Sequence, residues 1–386
     1  MAVSKHERGD YGKKLRQAEH PIDRKGLGGA QRKPKQPSFD ETFTFLGMYR
    51  SYKKCKRNVG WKGSTQRYSF KALRENYRTL TKLRRGKYKP KKLYCFYRTE
   101  RAKPRFIRSN HISDRVVQKS LCDYFLVALL RSKLIYDNSA TLKKRGCDFC
   151  KRRMKAHIEQ FVRENPKTWE EAVAITMDFH SYFENIDHGI LLDMLREIIE
   201  DDMLYALTAL LILEFGEKGL GLGSQVSQIC AVFYRHPIDD CIKHRLKVKH
   251  FSAYMDDAIA LFNSKQEAKD ALAAIIEASK AMKIEMNGKK TQIIPLSQGV
   301  PYLQRRFAYR RDETRTASFP NRSSEKRMRR KMRTFARKGK FSEMDTSYRT
   351  WKSHLIGDDA QGIIARSDAF YGTLMKSNEK EAIANA

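Results

Sequence analysis

Two adjacent aspartates, Asp256 and Asp257, stand between two runs of aromatic and aliphatic residues, and this arrangement constrains the chain more than any other. The runs predict two β-strands that carry the aspartates at the tip of a hairpin. Two like charges in an apolar setting are costly unless a cation lies beside them, and Mg²⁺ prefers carboxylate oxygens. A predicted strand over 171–178 ends in a third carboxylate, Asp178. The sequence therefore predicts a two-metal site for nucleotidyl transfer.

The charge balance of the chain points to a polyanionic partner. The 386 residues include 78 Lys and Arg against 44 Asp and Glu, a formal net charge of +34. An excess of this size indicates nucleic acid as the simplest partner. A membrane-surface role is disfavoured, because the basic residues are spread along the whole chain. The longest apolar run, from Leu204 to Phe215, is too short to span a bilayer and predicts a buried helix.

The seven cysteines are scattered and form a single Cys-x-x-Cys motif, Cys147 and Cys150. This usage is typical of a reduced protein rather than of a disulfide scaffold. His157 lies nearby, so zinc binding is one interpretation. No second pair completes four ligands, and an incidental pair is favoured. Since the N-terminus also has no apolar signal core, we expect a cytoplasmic location.

Apolar spacing predicts the elements around the aspartates. A helix is predicted from residues that recur at helical spacing, namely Phe70, Leu73, Tyr77, Leu80 and Leu83. A basic hairpin follows, with a charged turn at 100–103, where Lys103 and Arg105 are suited to a triphosphate. A solvated hairpin without a ligand is the alternative. Ser113 is predicted as the N-cap of the next helix, which continues to Leu130.

Further along the chain, helices are predicted over 187–200, 204–215 and 265–282, and a glycine-rich loop precedes another helix at Ser224. Residues 322–340 form a basic helix, with ten Lys or Arg against one Glu. With the strands predicted near 171–178, 250–262, 289–294 and 301–307, the order of elements gives an α+β fold with helices on one face of the sheet.

Taken in order, these segments resemble a reverse transcriptase over roughly residues 70–375. Asp178 to His188 is similar to the first catalytic motif of that family, residues 254–257 (Tyr-Met-Asp-Asp) to its YxDD box, and 287–291 to its N-x-x-K-T motif. Residues 103–105 and 113–118 are similar to its fingers motifs. Five motifs in the family's order are far more specific than one. The resemblance implies an α+β right-hand polymerase fold of fingers, palm and thumb.

The resemblance also implies a domain organisation and a metal site. The implied segments are a basic flexible N-terminal arm (1–38), fingers with part of the palm (39–170), a catalytic palm with an antiparallel sheet (171–310) and a basic helical thumb (311–386). Asp178 and Asp256 are implied to bind two Mg²⁺ ions, for which Mn²⁺ can substitute, and Asp257 to support them.

Further site residues follow from the same resemblance. Those implied to bind the nucleotide are Lys103, Arg105, Phe183, Leu222, Gln228, Tyr254, Met255 and Lys290, and those implied to bind nucleic acid are Arg115, Lys326, Arg327, Arg329, Arg330, Lys331 and Arg333. Phe183 matches the family's aromatic steric gate, which leaves no room for a ribose 2′-hydroxyl. Packing in the core is the alternative for this side chain.

Residues 222–228 (Leu-Gly-Ser-Gln-Val-Ser-Gln) depart from the Q-G-x-x-x-S-P motif of group II intron and retron enzymes. They match the [ILV]-G-x-x-x-S-Q form of diversity-generating retroelement enzymes and of some defence-associated bacterial groups. In the first of these, the apolar residue is linked to error-prone copying of template adenine. Leu222 is thus implied to contact the template base or nucleotide without a directing hydrogen bond. Since no maturase, endonuclease or RNase H signature follows, a stand-alone bacterial or phage enzyme is expected.

The implied activity is RNA-directed synthesis of DNA from dNTPs on a primer 3′-hydroxyl. The implied partners are an RNA template, a DNA product, a cognate non-coding or template RNA, and an accessory protein or a second copy of the chain, with no membrane. Template-independent DNA synthesis on the same fold is one alternative. A catalytically silent RNA-binding protein is another, and the three retained carboxylates argue against it.

Overall fold

Four helices open the described part of the chain: α1 (Phe39–Thr42), α2 (Phe45–Lys56), α3 (Gly63–Phe70) and α4 (Ala72–Arg84). The computed structural model describes residues 35–100 and 103–384, and for Glu100, Lys103, Arg322 and residues 377–384 it describes the backbone alone. The predicted N-terminal arm therefore lies almost wholly outside the described residues. Ser38 and Thr44 begin the first two helices, because their side chains accept backbone N–H groups of the first turn.

The helix predicted through Phe70 and Leu83 is two helices. Lys71 is not helical (φ −118°, ψ 17°), so the apolar phase changes between α3 and α4. Leu83 is buried as expected, but Phe70 and Tyr77 are 89% and 65% exposed, and the prediction of one apolar stripe is wrong there. The inner face of α4 instead contains Asn76, whose Oδ1 accepts the hydroxyl of a buried tyrosine of α3 at 2.7 Å.

The predicted basic hairpin is present as β1 (Tyr94–Glu100) and β2 (Lys103–Ser109), an antiparallel pair. Its turn residues 101–102 lie outside the described range. The next helix, α5 (Ile112–Leu121), continues through a π-helical turn into α6 (Val127–Arg131). Ser113 is not its N-cap. His111 occupies that position, because its Nδ1 accepts the Ser113 N–H at 3.2 Å.

The middle of the chain builds one four-stranded antiparallel sheet in the order β4-β5-β3-β6. Its elements, in chain order, are α7 (Cys147–Glu164), β3 (Val173–Met177), α8 (Tyr182–Asn185), α9 (His188–Arg196), α10 (Asp202–Leu213), α11 (Gln225–Tyr234), α12 (His236–Asp240), β4 (Phe251–Tyr254), β5 (Asp257–Phe262), α13 (Lys265–Ala281) and β6 (Gln292–Pro295). The strands and helices predicted for this region are thereby confirmed.

Both faces of this sheet are covered, which corrects the expectation of helices on one face. Val173 and Ile175 of β3 pack into the core that includes α11 and α13. Ala174 points to the opposite face, with Ile259 and Leu261 of β5, and meets α7 there. Strands buried on both faces are apolar at every position rather than at alternate ones. The aspartates at the strand ends are held by a rigid, doubly packed support.

A second antiparallel sheet contains β7 (Val300–Tyr302), β8 (Arg305–Arg310) and β9 (Arg315–Pro320). The first two strands form the predicted hairpin, and β9 was not predicted. Three helices follow: α14 (Arg322–Arg337), α15 (Phe341–Ser353) and α16 (Gln361–Ala384). They enclose a small core of their own around Met332 and Met344. The basic helix predicted over 322–340 is confirmed for Arg322–Arg337.

None of the helices in the described ranges combines the length and the apolar character that crossing a bilayer requires.

Candidate active site

Three acidic residues lie at one edge of the central sheet. Asp178 directly follows β3, Asp256 lies in the two-residue turn between β4 and β5, and Asp257 begins β5. The register pairs Met177 with Ala258, so Asp178 and Asp257 are neighbours one position further on. Strand pairing thus brings together acidic residues that are far apart in sequence, as the sequence predicted.

The three carboxylates repel one another at this edge. Burial, together with the charges of Asp256 and Asp178, raises the pKa of Asp257 to about 6. Lys290 balances part of this charge, since its Nζ lies 2.9 Å from both carboxylate oxygens of Asp178. The edge still carries more negative charge than positive, which favours binding of a cation.

The segment that carries Lys290 is tied to the same strand end. The backbone N–H of Asn287 donates to the carbonyl oxygen of Asp178 at 2.8 Å, and the Thr291 hydroxyl lies 3.4 Å from that oxygen. These contacts explain the spacing of the N-x-x-K-T motif. The Asn begins the turn, the Thr follows the lysine, and the lysine points to the aspartate.

The donor set fits a divalent metal, although the side chains are not arranged as metal ligands. Within residues 35–100 and 103–384, no three His, Cys, Asp or Glu side chains are close enough to share an ion. Asp178 is engaged by Lys290, which holds its carboxylate as an ion pair. The uncompensated charge felt by Asp257 and the oxygen-only donors are nevertheless the chemistry that Mg²⁺ selects.

Arg235 is a residue of this site that the sequence interpretation missed. Its side chain is fully buried at the end of α11, and its Nη1 donates to the carbonyl oxygen of Met255 at 2.7 Å. Its Nη2 lies 2.8 Å from Asp239, the buried counter-charge on α12. Its guanidinium also lies 5.5 Å from the ring centroid of Phe179. One arginine therefore contacts both sequence neighbourhoods that carry the aspartates.

A signal for Arg235 existed in the sequence. It is the one charge within an apolar run from Ile229 to Ile238, and an acidic residue follows four positions later. A lone arginine with an i+4 acid in a buried helix indicates a buried pair rather than a solvated one.

The glycine-rich loop connects two of the predicted nucleotide residues. The N–H of Leu220 donates to the carbonyl oxygen of Phe183 at 2.7 Å, and Leu222 follows two residues later, half-buried. Gly219 is needed at this contact, because its φ is +80° and a Cβ would lie 2.7 Å from the backbone of Glu184. Phe183 is half-buried with its ring edge against Tyr182, and Gln228 is exposed on α11.

On the opposite side of this loop lies the basic hairpin. Gly223 packs against the backbone of Arg108, and it lines a small polar cavity together with Arg115 and Gln118 of α5. Arg105 is exposed and stands directly opposite Arg98 in the strand register. Like charges in register repel each other, and an anion bound between the two guanidinium groups would offset this repulsion. The side chain of Lys103 lies outside what the structure describes.

The Tyr-Met-Asp-Asp turn has strained backbone and one unexpected neighbour. Met255 has φ +54°, a left-handed conformation uncommon for a side chain of this size. Tyr254 contacts Cys147, whose Sγ lies 3.5 Å from the hydroxyl oxygen, and this bond and burial raise the pKa of Tyr254 to about 12. His157 pairs with Asp137 at 3.1 Å. The Sγ of the buried Cys150 lies 3.5 Å from the hydroxyl oxygen of Ser252 on β4, so the Cys-x-x-Cys segment packs against the sheet.

The six predicted thumb cations lie on α14 in two groups. Lys326, Arg327, Arg330 and Lys331 are exposed. Arg329 and Arg333 lie over the ring of Phe370 on α16, with Cζ 4.6 and 5.1 Å from its centroid. Arg333 is exposed as well, and the Nζ of Lys331 lies 5.5 Å from the ring centroid of Phe335, so only Lys326, Arg327 and Arg330 are exposed without such a ring contact among the six.

Comparison with known proteins agrees with this geometry. The model of the reverse transcriptase (RNA-dependent DNA polymerase) family matches residues 90–308, more than half of the 386-residue chain. The matched range begins just before β1 and ends in β8, so it takes in all three aspartates. Among curated proteins, none matches the chain. The chain belongs to the reverse transcriptase family, and it is a nucleotidyltransferase with the right-hand polymerase fold that copies RNA into DNA.

Proposed function

We propose that this reverse transcriptase adds dNTPs to a primer 3′-hydroxyl at the edge formed by Asp178, Asp256 and Asp257. The proposal rests on the position of three acidic residues at one sheet edge, after β3 and in the β4–β5 hairpin. Their mutual repulsion contributes to the raised pKa of Asp257. A site that repels its own charges in this way is suited to divalent cations.

Asp178 and Asp256 would hold two Mg²⁺ ions, or Mn²⁺ in their place, with Asp257 as a supporting ligand. When bound, such a pair activates the primer hydroxyl and neutralises charge on the triphosphate and the leaving pyrophosphate. Lys290 positions the carboxylate of Asp178 through its ion pair. The buried Arg235 holds the Met255 carbonyl and so fixes the turn on which Asp256 lies.

Around this edge we assign the nucleotide-binding roles as the family motifs imply. Phe183 is the steric gate that selects deoxynucleotides, and its half-buried ring next to the glycine-rich loop supports that role. Lys103 and Arg105 bind the triphosphate, and Tyr254, Met255 and Gln228 complete the pocket. A Phe183→Ala variant should use ribonucleotides at least about tenfold better than the wild type. Unchanged discrimination would leave Phe183 as a core residue only.

Leu222 is assigned to the template base or incoming nucleotide, where it offers no hydrogen bond. Its place between Phe183 and the hairpin supports this assignment. We expect frequent misincorporation opposite template adenine, and Leu222→Gln should lower it. Adenine copied as faithfully as the other bases in both proteins would remove the hypothesis.

The biological setting is a bacterial or phage retroelement or an anti-phage defence system, with a cognate RNA and an accessory protein or second copy as partners. The form of residues 222–228 supports this assignment, and the domain boundaries proposed for the chain are 38/39, 170/171 and 310/311.

The flanking DNA tests the proposed biological setting. A template and variable repeat pair indicates gene diversification, and a cluster of defence genes indicates phage defence. Flanking DNA with neither feature would contradict the proposed setting.

Primer extension separates the proposed activity from its alternatives. Wild type and Asp256→Asn are each given a primer with an RNA template, and a primer alone. Extension only with template, lost in the variant while RNA binding is retained, is the expected result. Extension without template would support a template-independent polymerase on the same fold. No extension with intact RNA binding would indicate a silent RNA-binding protein.

A further inference from the structure

Large apolar side chains are exposed on three consecutive elements of the N-terminal helical region. Trp61, in the turn before α3, is 75% exposed, Phe70 at the end of α3 is 89% exposed, and Tyr77 of α4 is 65% exposed. Leu73, one turn before Tyr77 on α4, is 58% exposed. We call these four residues the aromatic face. Three large rings exposed to this degree within the 17 residues 61–77 indicate a binding segment.

The surroundings of the aromatic face are strongly basic. Residues 53–87 contain thirteen Lys and Arg and a single acidic residue, Glu75. Lys62 shows how the two kinds of side chain alternate, since its Nζ lies 5.5 Å from the Trp61 ring centroid. Rings interleaved with cations at this density are suited to a single-stranded nucleic acid, because its bases can stack on the rings and its phosphates can pair with the cations.

Charge and shape together select the occupant. Duplex RNA presents phosphates, but its bases are paired and stacked inside the helix, so they cannot stack on exposed rings of the protein. An acidic protein would match the charge, but not the three flat rings. The chain's own residues 1–34 carry nine Lys and Arg against four acidic residues, so their net charge has the same sign as that of residues 53–87 and does not complement it. We propose that the aromatic face binds single-stranded RNA, outside the active site, by stacking of bases on Trp61, Phe70 and Tyr77.

The location of the aromatic face agrees with such a role. α4 packs against α2 and α5, and α5 carries Arg115 and Gln118 to the cavity beside Gly223. RNA on the aromatic face is therefore one helical layer away from the loop assigned to the template. The inference rests on the proposed function only for the choice of RNA as the polymer, and binding is measured without nucleotides.

The tryptophan provides a direct measurement. The chain has three tryptophans, of which Trp169 is buried and Trp351 half-buried. A single-stranded RNA of mixed sequence should quench the fluorescence of the full-length protein, and Trp61→Phe should lose most of this quenching. Phe70→Ala and Tyr77→Ala should each weaken binding of the strand by about fivefold or more, as loss of a stacked base does.

Three controls make the result decisive. Tyr77→Phe keeps the ring and should bind like the wild type, and Ile356→Ala removes an exposed apolar residue of the C-terminal region (75% exposed) and should have no effect. Duplex RNA of equal length should bind all variants alike. Undiminished strand binding by a Trp61→Ala, Phe70→Ala, Tyr77→Ala triple variant would overturn the inference, as would an equal loss for duplex. If the ring substitutions weaken RNA binding as expected but the wild-type protein does not extend a primer, the proposed function is contradicted and the RNA-binding inference is not.

Discussion

The guanidinium of Arg235 lies 2.7 Å from the carbonyl oxygen of Met255, in the turn that carries Asp256. This side chain is fully buried and is balanced by Asp239 at 2.8 Å. A buried ion pair adds little net stability, because desolvation offsets the attraction. Its value here is positional, since the guanidinium fixes the left-handed Met255 and contacts the Phe179 ring beside Asp178.

Changing the pair separates this positional role from stability. Arg235→Met leaves Asp239 buried and unpaired, and should lower the free energy of unfolding by about 3–5 kcal/mol. The double variant Arg235→Met, Asp239→Leu removes both charges and should recover stability to within about 2 kcal/mol of wild type. Its primer extension should stay at least tenfold slow, because Met255 still lacks its donor. Urea unfolding and single-turnover extension measure the two effects, and full recovery of extension would show that Arg235 is only structural.

Lys290 should matter more for activity than for stability. Its side chain is 57% exposed, and a surface ion pair contributes at most about 1 kcal/mol. Lys290→Ala should therefore unfold like the wild type but extend a primer about tenfold more slowly, because Asp178 loses the group that orients it. Lys290→Arg should recover part of the rate, and Lys289→Ala, on the same turn, should leave it unchanged. A wild-type rate for Lys290→Ala would contradict the assignment.

Glu214 predicts a pH dependence of stability away from the catalytic edge. Burial and the charge of Asp114 raise its pKa to about 7, although Asn110 donates to its carboxylate at 3.1 Å. Because this pKa is above that of the unfolded chain, its favourable contribution is complete below about pH 4.5 and is lost as the pH rises to 7.

Glu214→Gln should remove that loss. The variant should match the wild type at pH 4 and be more stable at pH 8 by about 1 kcal/mol, after allowance for solvent screening. Thermal unfolding across this range is the measurement, and Glu277→Gln on exposed α13 is the control that should show no such trend. A Glu214→Gln protein that is less stable than wild type at pH 8 would contradict the raised pKa.

The two groups of thumb cations should respond differently to substitution. Replacing the exposed Lys326, Arg327 and Arg330 with Gln should lower the slope of log affinity against log salt by up to about 0.9 for each phosphate that is no longer neutralised. Arg329→Gln should instead lower thermal stability, because Arg329 lies over Phe370. A salt slope unchanged in the triple variant would show that the nucleic acid does not contact α14.

The position of the three aspartates at one edge of the sheet could be predicted, because each of them directly adjoins an apolar run that predicts a strand. Adjacent aspartates between apolar runs indicate a hairpin tip. Asp178 ends another predicted strand, and pairing of that strand in the same sheet brings Asp178 beside the tip. The second covered face had a signal too, since Ala174, Ile259 and Leu261 occupy alternate positions of β3 and β5 that a sheet covered on one face only would leave polar. That pattern indicates burial on both sides, and the expectation of helices on one face overlooked it.

Other features depend on partners that sequence does not display. The break at Lys71 has no Pro or Gly to mark it, so Phe70 and Tyr77 were expected on one buried stripe with Leu83. Strand β9 contains buried Thr316 and Ser318, whose N–H groups donate to Glu159 and Asp359. These carboxylates lie far away in the chain, so nothing near β9 indicates that polar residues would be buried there.

The convergence of Asp178, Asp256 and Asp257 on divalent cations is tested most directly by anomalous scattering. Crystals of the full-length protein with a primer–template duplex and a non-hydrolysable dNTP are soaked in Mn²⁺, and the anomalous difference map is calculated. For the wild type we expect two peaks in contact with the carboxylates of Asp178 and Asp256. For Asp256→Asn crystals we expect at most one, weaker peak. A map of the wild-type complex with the nucleotide in place and no peak at these carboxylates would contradict the account.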